Sequence, residues 1–272
     1  MWRYPVCFRD RLGLLFNRPH GSRICTNGSH LSPTRLFTLG TLHYPEAASK
    51  DQHHDLASYI AYAERTGLDV ESKVFIGTRY EYSVAAALRP LGFNLRRIGG
   101  QSDKGIDLLG TWSVPSTPDH LPLRVILQCK AYSTARTARV GPQFIRELEG
   151  AYLGAPSGWR GSGAVGLFVT QRPATKGVRE ALAHSRWPLG YVSCTGDGDL
   201  EQMLWNQRAE EEGLEGMGVT ARLSDEDRHG NTRRLVLTWK GRRYALPGTS
   251  PTIGPEDIDP QREAGADAKP PQ

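Results

Sequence analysis

An aspartate, a glutamine and a lysine near the middle of the chain are of the types and spacing needed to handle a phosphodiester. Asp107 follows the turn-forming run Ser102-Asp103-Lys104-Gly105 and stands near the start of a predicted strand, Ile106 to Trp112. Gln128 and Lys130 lie at the end of the next predicted strand, Leu123 to Cys129. Side chains two apart on a strand share a face. If the two strands pair antiparallel, Gln128 and Lys130 therefore converge on Asp107, and the Cys129 side chain alternates away. Hydrolysing a phosphodiester calls for a metal ion that polarises the phosphoryl oxygen and lowers the pKa of an attacking water. Mg²⁺ (or Mn²⁺) takes hard oxygen ligands, which Asp107, the Gln128 amide and the Cys129 backbone carbonyl can offer. Lys130 beside them can orient or deprotonate the water, or stabilise developing charge. The bland alternative is that Gln128 and Lys130 are edge-strand polar residues facing water. Asp107 is harder to set aside, because an aspartate following Gly-Ile in a strand needs a polar partner.

The elements that must position these residues read as alternating helices and strands. A helix is predicted from Asp55 to Arg65, ended by Gly67, and Lys73 to Ile76 reads as a short extended piece. A second helix is predicted from Thr78 to Leu91, then strands at Phe93–Ile98, Ile106–Trp112 and Leu123–Cys129. Pro142 opens a helix to about Tyr152; Ala164–Thr170 is a continuously apolar strand of the fully buried kind. A helix at Thr175–Ser185 and a strand at Leu189–Cys194 follow, giving the order α-β-β-β-α-β-α-β. That order predicts an α/β fold, a mixed sheet flanked by helices. Beyond it, Leu200–Glu212 reads as a polar helix, and Leu235–Trp239 with Arg243–Leu246 as a hairpin turning at Lys240-Gly241. These last pieces form a C-terminal helix-hairpin elaboration.

Charge is distributed unevenly. Residues 73–186 hold sixteen bases and seven acids, inside a chain whose total is only +5. A cationic block of that size fits a polyanionic partner, because Lys and Arg neutralise phosphates and release counterions. Arg96, Arg97, Lys104, Arg136 and Arg139 are the expected nucleic-acid contacts, with DNA favoured over RNA. The first forty-five residues carry six arginines, with Asp10 as their one acid, and lack a continuous apolar stretch. That is the composition of a mitochondrial transit peptide, so a matrix location is expected; an N-terminal tail without a targeting role is the alternative. The expected organisation is 1–45 transit peptide, 46–72 helical extension, 73–195 core, 196–247 helix and hairpin, and 248–272 a Pro-rich, acidic disordered tail. No apolar run is long enough to span a bilayer. The cysteines at 7, 25, 129 and 194 form no CxxC pair, which argues against a disulfide scaffold or a structural zinc site. There is no GxxxxGK[ST] loop, no GxGxxG after a strand and no GxSxG elbow.

The pattern Gly-Gly-x-x-Asp-x-Gly-Ile-Asp over 99–107, followed by a hydrophobic strand ending Gln-x-Lys at 128–130, resembles the Mrr-like branch of the restriction-endonuclease (PD-(D/E)xK) superfamily. In that branch Gln replaces the acid of the usual (Asp/Glu)-x-Lys. Arg146-Glu147-Leu148-x-Gly150 on a Gly-Pro-led helix and a strand ending Phe168-Val169-Thr170 extend the similarity to roughly residues 74–194. With the basic N-terminus and the Trp-bearing hairpin, the chain looks like the fungal family Required for respiratory growth protein 7, mitochondrial. The resemblance implies a restriction-endonuclease-like core, a Mg²⁺-dependent nuclease activity, a mitochondrial location and a part in maintaining respiration. Dimerisation, common among nucleases of this fold, is left open. The resemblance also makes Glu81, in Gly77-Thr78-x-Tyr80-Glu81, a further metal ligand; Thr78-x-x-Glu81 equally reads as a helix capping box. Because Gln128 is neutral, a non-cleaving DNA-binding relative stays open beside the nuclease. An RNA-processing or ribosome-assembly partner is a third reading.

Overall fold

A computed structural model describes Tyr44 and residues 53–98, 105–115, 121–132, 139–223 and 233–244. Apart from Tyr44, the expected transit peptide lies outside the described residues, as do the Pro-rich tail, Lys104 and Arg136.

Helix α1 (Leu56–Thr66) starts at Asp55, whose carboxylate accepts from the Ser58 N–H, and ends at Gly67 in the left-handed conformation. Helix α2 (Lys73–Leu88) begins earlier than the sequence suggested. The Ser72 hydroxyl accepts from the Phe75 N–H at 3.1 Å, so the expected extended piece Lys73–Ile76 is the first turn of the helix. Thr78 lies inside that helix and cannot cap it, which removes the capping-box reading of Glu81. Tyr59 of α1 stacks on Phe75 of α2, and the buried His53 ring sits 2.8 Å from the Tyr82 hydroxyl.

Six strands follow in one sheet ordered as in the sequence: β1 (Phe93–Arg97), β2 (Leu108–Trp112), β3 (Leu123–Lys130), β4 (Ala164–Thr170), β5 (Leu189–Cys194) and β6 (Leu200–Trp205). The first three pair antiparallel. β3, β4 and β5 run parallel, joined through α3 (Gln143–Gly154) and α4 (Lys176–His184), because a parallel connection needs a crossover. The fold is the mixed α/β sheet flanked by helices that the sequence predicted. Both sheet faces are dry at its centre, so β4 and β5 are buried at every residue. One face packs Val125, Leu127, Val165, Leu167 and Val192 against Tyr80, Val84 and Leu88 of α2. The other packs Ile126, Phe168 and Tyr191 against Ile145, Leu148 and Tyr152 of α3 and Val178 and Leu182 of α4.

The C-terminal part differs from expectation. Leu200–Trp205 is not helix but β6, antiparallel to β5, so the central sheet extends past residue 195. Its Leu, Glu, Gln and Met are good helix formers, yet the open edge of β5 offers a ladder of backbone partners. Short helical turns follow at Gln207–Ala209 and Glu210–Leu214. The expected hairpin is part of a three-stranded antiparallel sheet, β7 (Met217–Leu223), β8 (Arg233–Trp239) and β9 (Arg242–Arg243). Met217 and Leu237 tie this small sheet into the hydrophobic layer on the α2 side.

Candidate active site

The site forms where the chain enters β2 and leaves β3. Asp107 sits one residue before β2. Its N–H donates to the Leu127 carbonyl at 2.9 Å, and its carbonyl accepts from the Ile98 N–H at 2.9 Å. Backbone bonds on both sides thus fix Asp107 between β1 and β3. Its carboxylate Oδ2 accepts from the Cys129 N–H at 2.6 Å, a charge-assisted bond that closes the β2–β3 entry. Asp107 is the polar-partnered strand aspartate that the sequence required.

Gln128, Cys129 and Lys130 alternate as expected. The Cys129 side chain packs with the α2-side layer. Lys130 points to the α3 side, where its Nζ stands 5.3 Å from the centre of the Phe144 ring, itself stacked on Phe168. Gln128 lies on that same side, and its amide fills the space over Gly105: a Cβ built at Gly105 falls 3.1 Å from Gln128 Nε2 and 3.8 Å from Ala151 Cβ. Gly105 also has φ +78°, a conformation costly for any other residue. Two independent reasons therefore fix glycine there, and the Gly-Ile-Asp run was the signal for it.

Three buried oxygens on or next to this end of β3 and β4 have no hydrogen-bond partner: Gln128 Oε1, Thr170 Oγ1 and Tyr132 Oη. Thr170 is the parallel-register neighbour of Lys130 and shares its face. Sequence reasoning used Thr170 only as part of a family pattern. Buried polar atoms are normally paired, so each of these oxygens has capacity for a further hydrogen bond.

Glu81 reaches the site from α2 and is held by Arg97 of β1: the Arg97 Nε to Glu81 Oε2 distance is 2.5 Å, with the side chains 15% and 12% exposed. Arg97 Nη2 also donates to Thr78 Oγ1 at 3.4 Å. Arg97, expected as a nucleic-acid contact, is mostly buried here, with its guanidinium turned to Glu81. Arg96, one residue away, points outward and lies over the Tyr44 ring at 4.5 Å. Arg139 is exposed just before α3. Glu81 and Asp107 both act on the Cys129 thiol. Burial is the first cause that pushes this thiol well above its ordinary range, and the negative charges of Asp107 and then Glu81 push further. At neutral pH the Cys129 thiol is therefore protonated.

Among the described residues, no three His, Cys, Asp or Glu side chains gather as a metal cage. The donors that are present suit a hard cation, held by few fixed ligands and otherwise by water and substrate oxygens. Asp107 supplies the charge and the orphaned Gln128 Oε1 a buried neutral oxygen. No described helix is long and apolar enough to cross a membrane.

Relatives of the chain are fungal mitochondrial proteins. An uncharacterised mitochondrial protein of Schizosaccharomyces pombe is 29% identical over 160 residues, covering 58% of this chain and 61% of its own. Proteins named Required for respiratory growth protein 7, mitochondrial, match at 31% identity in Vanderwaltozyma polyspora (30% of this chain, 47% of the relative) and at 31% in Eremothecium gossypii (45% and 61%). The chain spans less than two-thirds of the length of each of these three relatives. Their shared location assigns the protein to mitochondria. Among solved structures, the MspJI restriction endonuclease in complex with a 27-mer oligonucleotide is similar at 17% identity and a TM-score of 0.32, over 55% of this chain and 32% of that one. The model of the family described as Required for respiratory growth protein 7 matches residues 72–121 and 116–223, more than half of the sequence, and the chain belongs to that family.

Proposed function

We propose that the protein binds nucleic acid, DNA in preference to RNA, in the mitochondrial matrix, and hydrolyses phosphodiesters there with Mg²⁺ or Mn²⁺. Such an activity would serve mitochondrial genome maintenance and, through it, the respiratory growth for which its relatives are named. The observation that carries this reading is the 2.6 Å bond from the Cys129 N–H to Asp107, which binds the acid to the strand bearing Gln128 and Lys130. When bound, the metal would polarise the scissile phosphate and make its attacking water more acidic. Asp107, Gln128 Oε1, the Cys129 carbonyl and Glu81 are the residues that would hold it. The Asp107 carboxylate is held by the Cys129 N–H, on a backbone tied to Ile98 and Leu127. Lys130, whose Nζ stands over the Phe144 ring, would supply a cation to a phosphate oxygen or to the attacking water. Arg96, Arg139, Lys104 and Arg136 supply counter-charge along the flanks.

One observation favours a second reading. Glu81 is neutralised by Arg97, which leaves Asp107 as the acid best placed for a metal. A site of that kind also suits a non-cleaving DNA-binding factor of the same fold. Incubating the purified protein with Mg²⁺ or Mn²⁺ and linear, nicked, branched and single-stranded DNA, with RNA alongside, separates the two. Cleavage lost in both Asp107→Asn and Lys130→Ala supports the nuclease. Binding without cleavage of any substrate establishes the second reading instead.

A further inference from the structure

The net charge of residues 187–272 is negative, with ten bases against fifteen acids, yet the small sheet within this segment is uniformly basic. Residues 217–223 and 233–244 carry Arg222, Arg233, Arg234, Lys240, Arg242 and Arg243 and no acid. The register sorts these residues by face. Val219 pairs with Leu237, and Met217 with Trp239; these residues turn to the hydrophobic layer. The opposite face therefore carries Thr220 with Val236, Arg222 with Arg234, and Thr238 with Arg243 of β9.

Arg222 and Arg234 stand directly across from one another, both exposed. Like charges at such a cross-strand pair destabilise a sheet. Among the described residues neither has an ion-pair partner, nor has Arg243. Thr238, the partner of Arg243, is the fourth residue after Arg234, so the two cationic positions stand about 13 Å apart along β8. Thr220 and Val236 between them, and Thr238 beside Arg243, are short enough to let an extended polymer lie across the face.

We propose that this outer face of the β7–β8–β9 sheet is a second nucleic-acid contact, on which Arg222, Arg234 and Arg243 grip successive backbone phosphates. It rests on the reading of the protein as a nucleic-acid binder, but not on cleavage. Charge complementarity favours a polyanion: a polyphosphate chain relieves the Arg222–Arg234 repulsion, which no described carboxylate does. A lipid surface is the poorer fit, because an interfacial element inserts large apolar or aromatic side chains and this face presents Val236 alone.

Binding of the full-length protein to a labelled DNA duplex is measured in EDTA across a range of salt, by fluorescence anisotropy. The triple variant Arg222→Gln/Arg234→Gln/Arg243→Gln should bind roughly ten-fold more weakly at low salt, and the slope of log affinity against log salt should fall by about 2–3. Arg208→Gln, at an exposed arginine paired with Glu211, serves as the control and should change neither. The thermal midpoint of the triple variant should equal or exceed wild type, since a like-charge pair has gone. Unchanged affinity and slope in the triple variant, with wild type binding DNA, overturns this contact and leaves the proposed function standing. Wild type binding DNA but never cutting it removes the nuclease reading and leaves this contact intact. Lost stability with unchanged DNA binding would mean that the arginines serve the acids of the 224–232 connection, and overturns the proposal. So does a variant that loses binding to anionic phospholipid vesicles but keeps its grip on DNA.

Discussion

Asp107 Oδ2 lies 2.6 Å from the backbone nitrogen of Cys129 and accepts its hydrogen. This one bond performs two tasks: it satisfies a strand N–H, and it ties the carboxylate to the strand that carries Gln128 and Lys130. Substitutions at Asp107 can separate them. Asp107→Asn keeps an oxygen to accept the Cys129 N–H, so it should cost less than about 1 kcal/mol while removing metal-dependent cleavage. Asp107→Ala leaves that N–H unpaired and should cost about 1–3 kcal/mol. Urea unfolding measures the stability arm and a Mg²⁺-dependent cleavage assay the chemical one. Full activity in Asp107→Asn would sink the metal-ligand role; equal stability of the Asn and Ala variants would sink the structural one.

Gly105→Ala should injure the site through Gln128 rather than through the core. The new Cβ would stand 3.1 Å from Gln128 Nε2, on a backbone at φ +78°. The left-handed conformation costs a non-glycine residue about 1–2 kcal/mol, and the displaced amide costs more. Cleavage should fall at least ten-fold, with DNA affinity in EDTA within two-fold of wild type. Restored cleavage in Gly105→Ala/Gln128→Ala is not expected, since Gln128 Oε1 is itself a proposed ligand. Unchanged cleavage in the single variant refutes the idea that Gln128 needs this position.

Glu81 and Arg97 should behave as a coupled pair. Each side chain is nearly out of solvent, and removing one strands the other's charge. A fully buried pair loses roughly 3–5 kcal/mol when one partner is removed; with edges still reaching water, each of Glu81→Gln and Arg97→Gln should fall below that range. The double variant should cost clearly less than the two singles added. A denaturation cycle over the four proteins measures the coupling, and additivity within experimental error counts against the pair.

How much of this was legible follows from how local each signal is. β4 and β5 were placed residue for residue, because a continuous apolar run bounded by turns has few other uses. Asp107, Gln128 and Lys130 came from local spacing on two adjacent strands, and the antiparallel β2–β3 register brings Asp107 to that ladder's end. The start of α2 was misread because Val74, Phe75 and Ile76 look extended in isolation, whereas Ser72 caps them into a helix. β6 was misread because its helix-forming residues adopt a strand only where the β5 edge is available to pair. The Glu81–Arg97 pair spans sixteen residues between two elements, and no periodicity within either one announces it. The basic face of the small sheet was hidden because acids elsewhere in the segment outnumber its arginines, and β7 itself was not foreseen.

The two described thiols should make stability fall in alkali. Cys194 is fully buried, and its thiol is pushed up to about 12, first by burial and then by the nearby Asp199 and Glu201 charges. Cys129 moves the same way, by burial and by Asp107 and Glu81. An unfolded thiol ionises near 9.0, so above that value the unfolded chain releases protons that the folded chain still holds. The stabilisation is therefore complete below about pH 9 and is lost as pH rises toward the folded values, by up to about 1.4 kcal/mol per pH unit for each thiol. Raised tyrosines, Tyr152 at about 12 among them, add to the fall at higher pH. Denaturant midpoints followed from neutral pH upward should stay level and then decline beyond about pH 9, with a shallower decline in Cys194→Ala. A midpoint that rises or holds flat through that window, or an identical slope in Cys194→Ala, would show that these thiols are not held protonated by their burial.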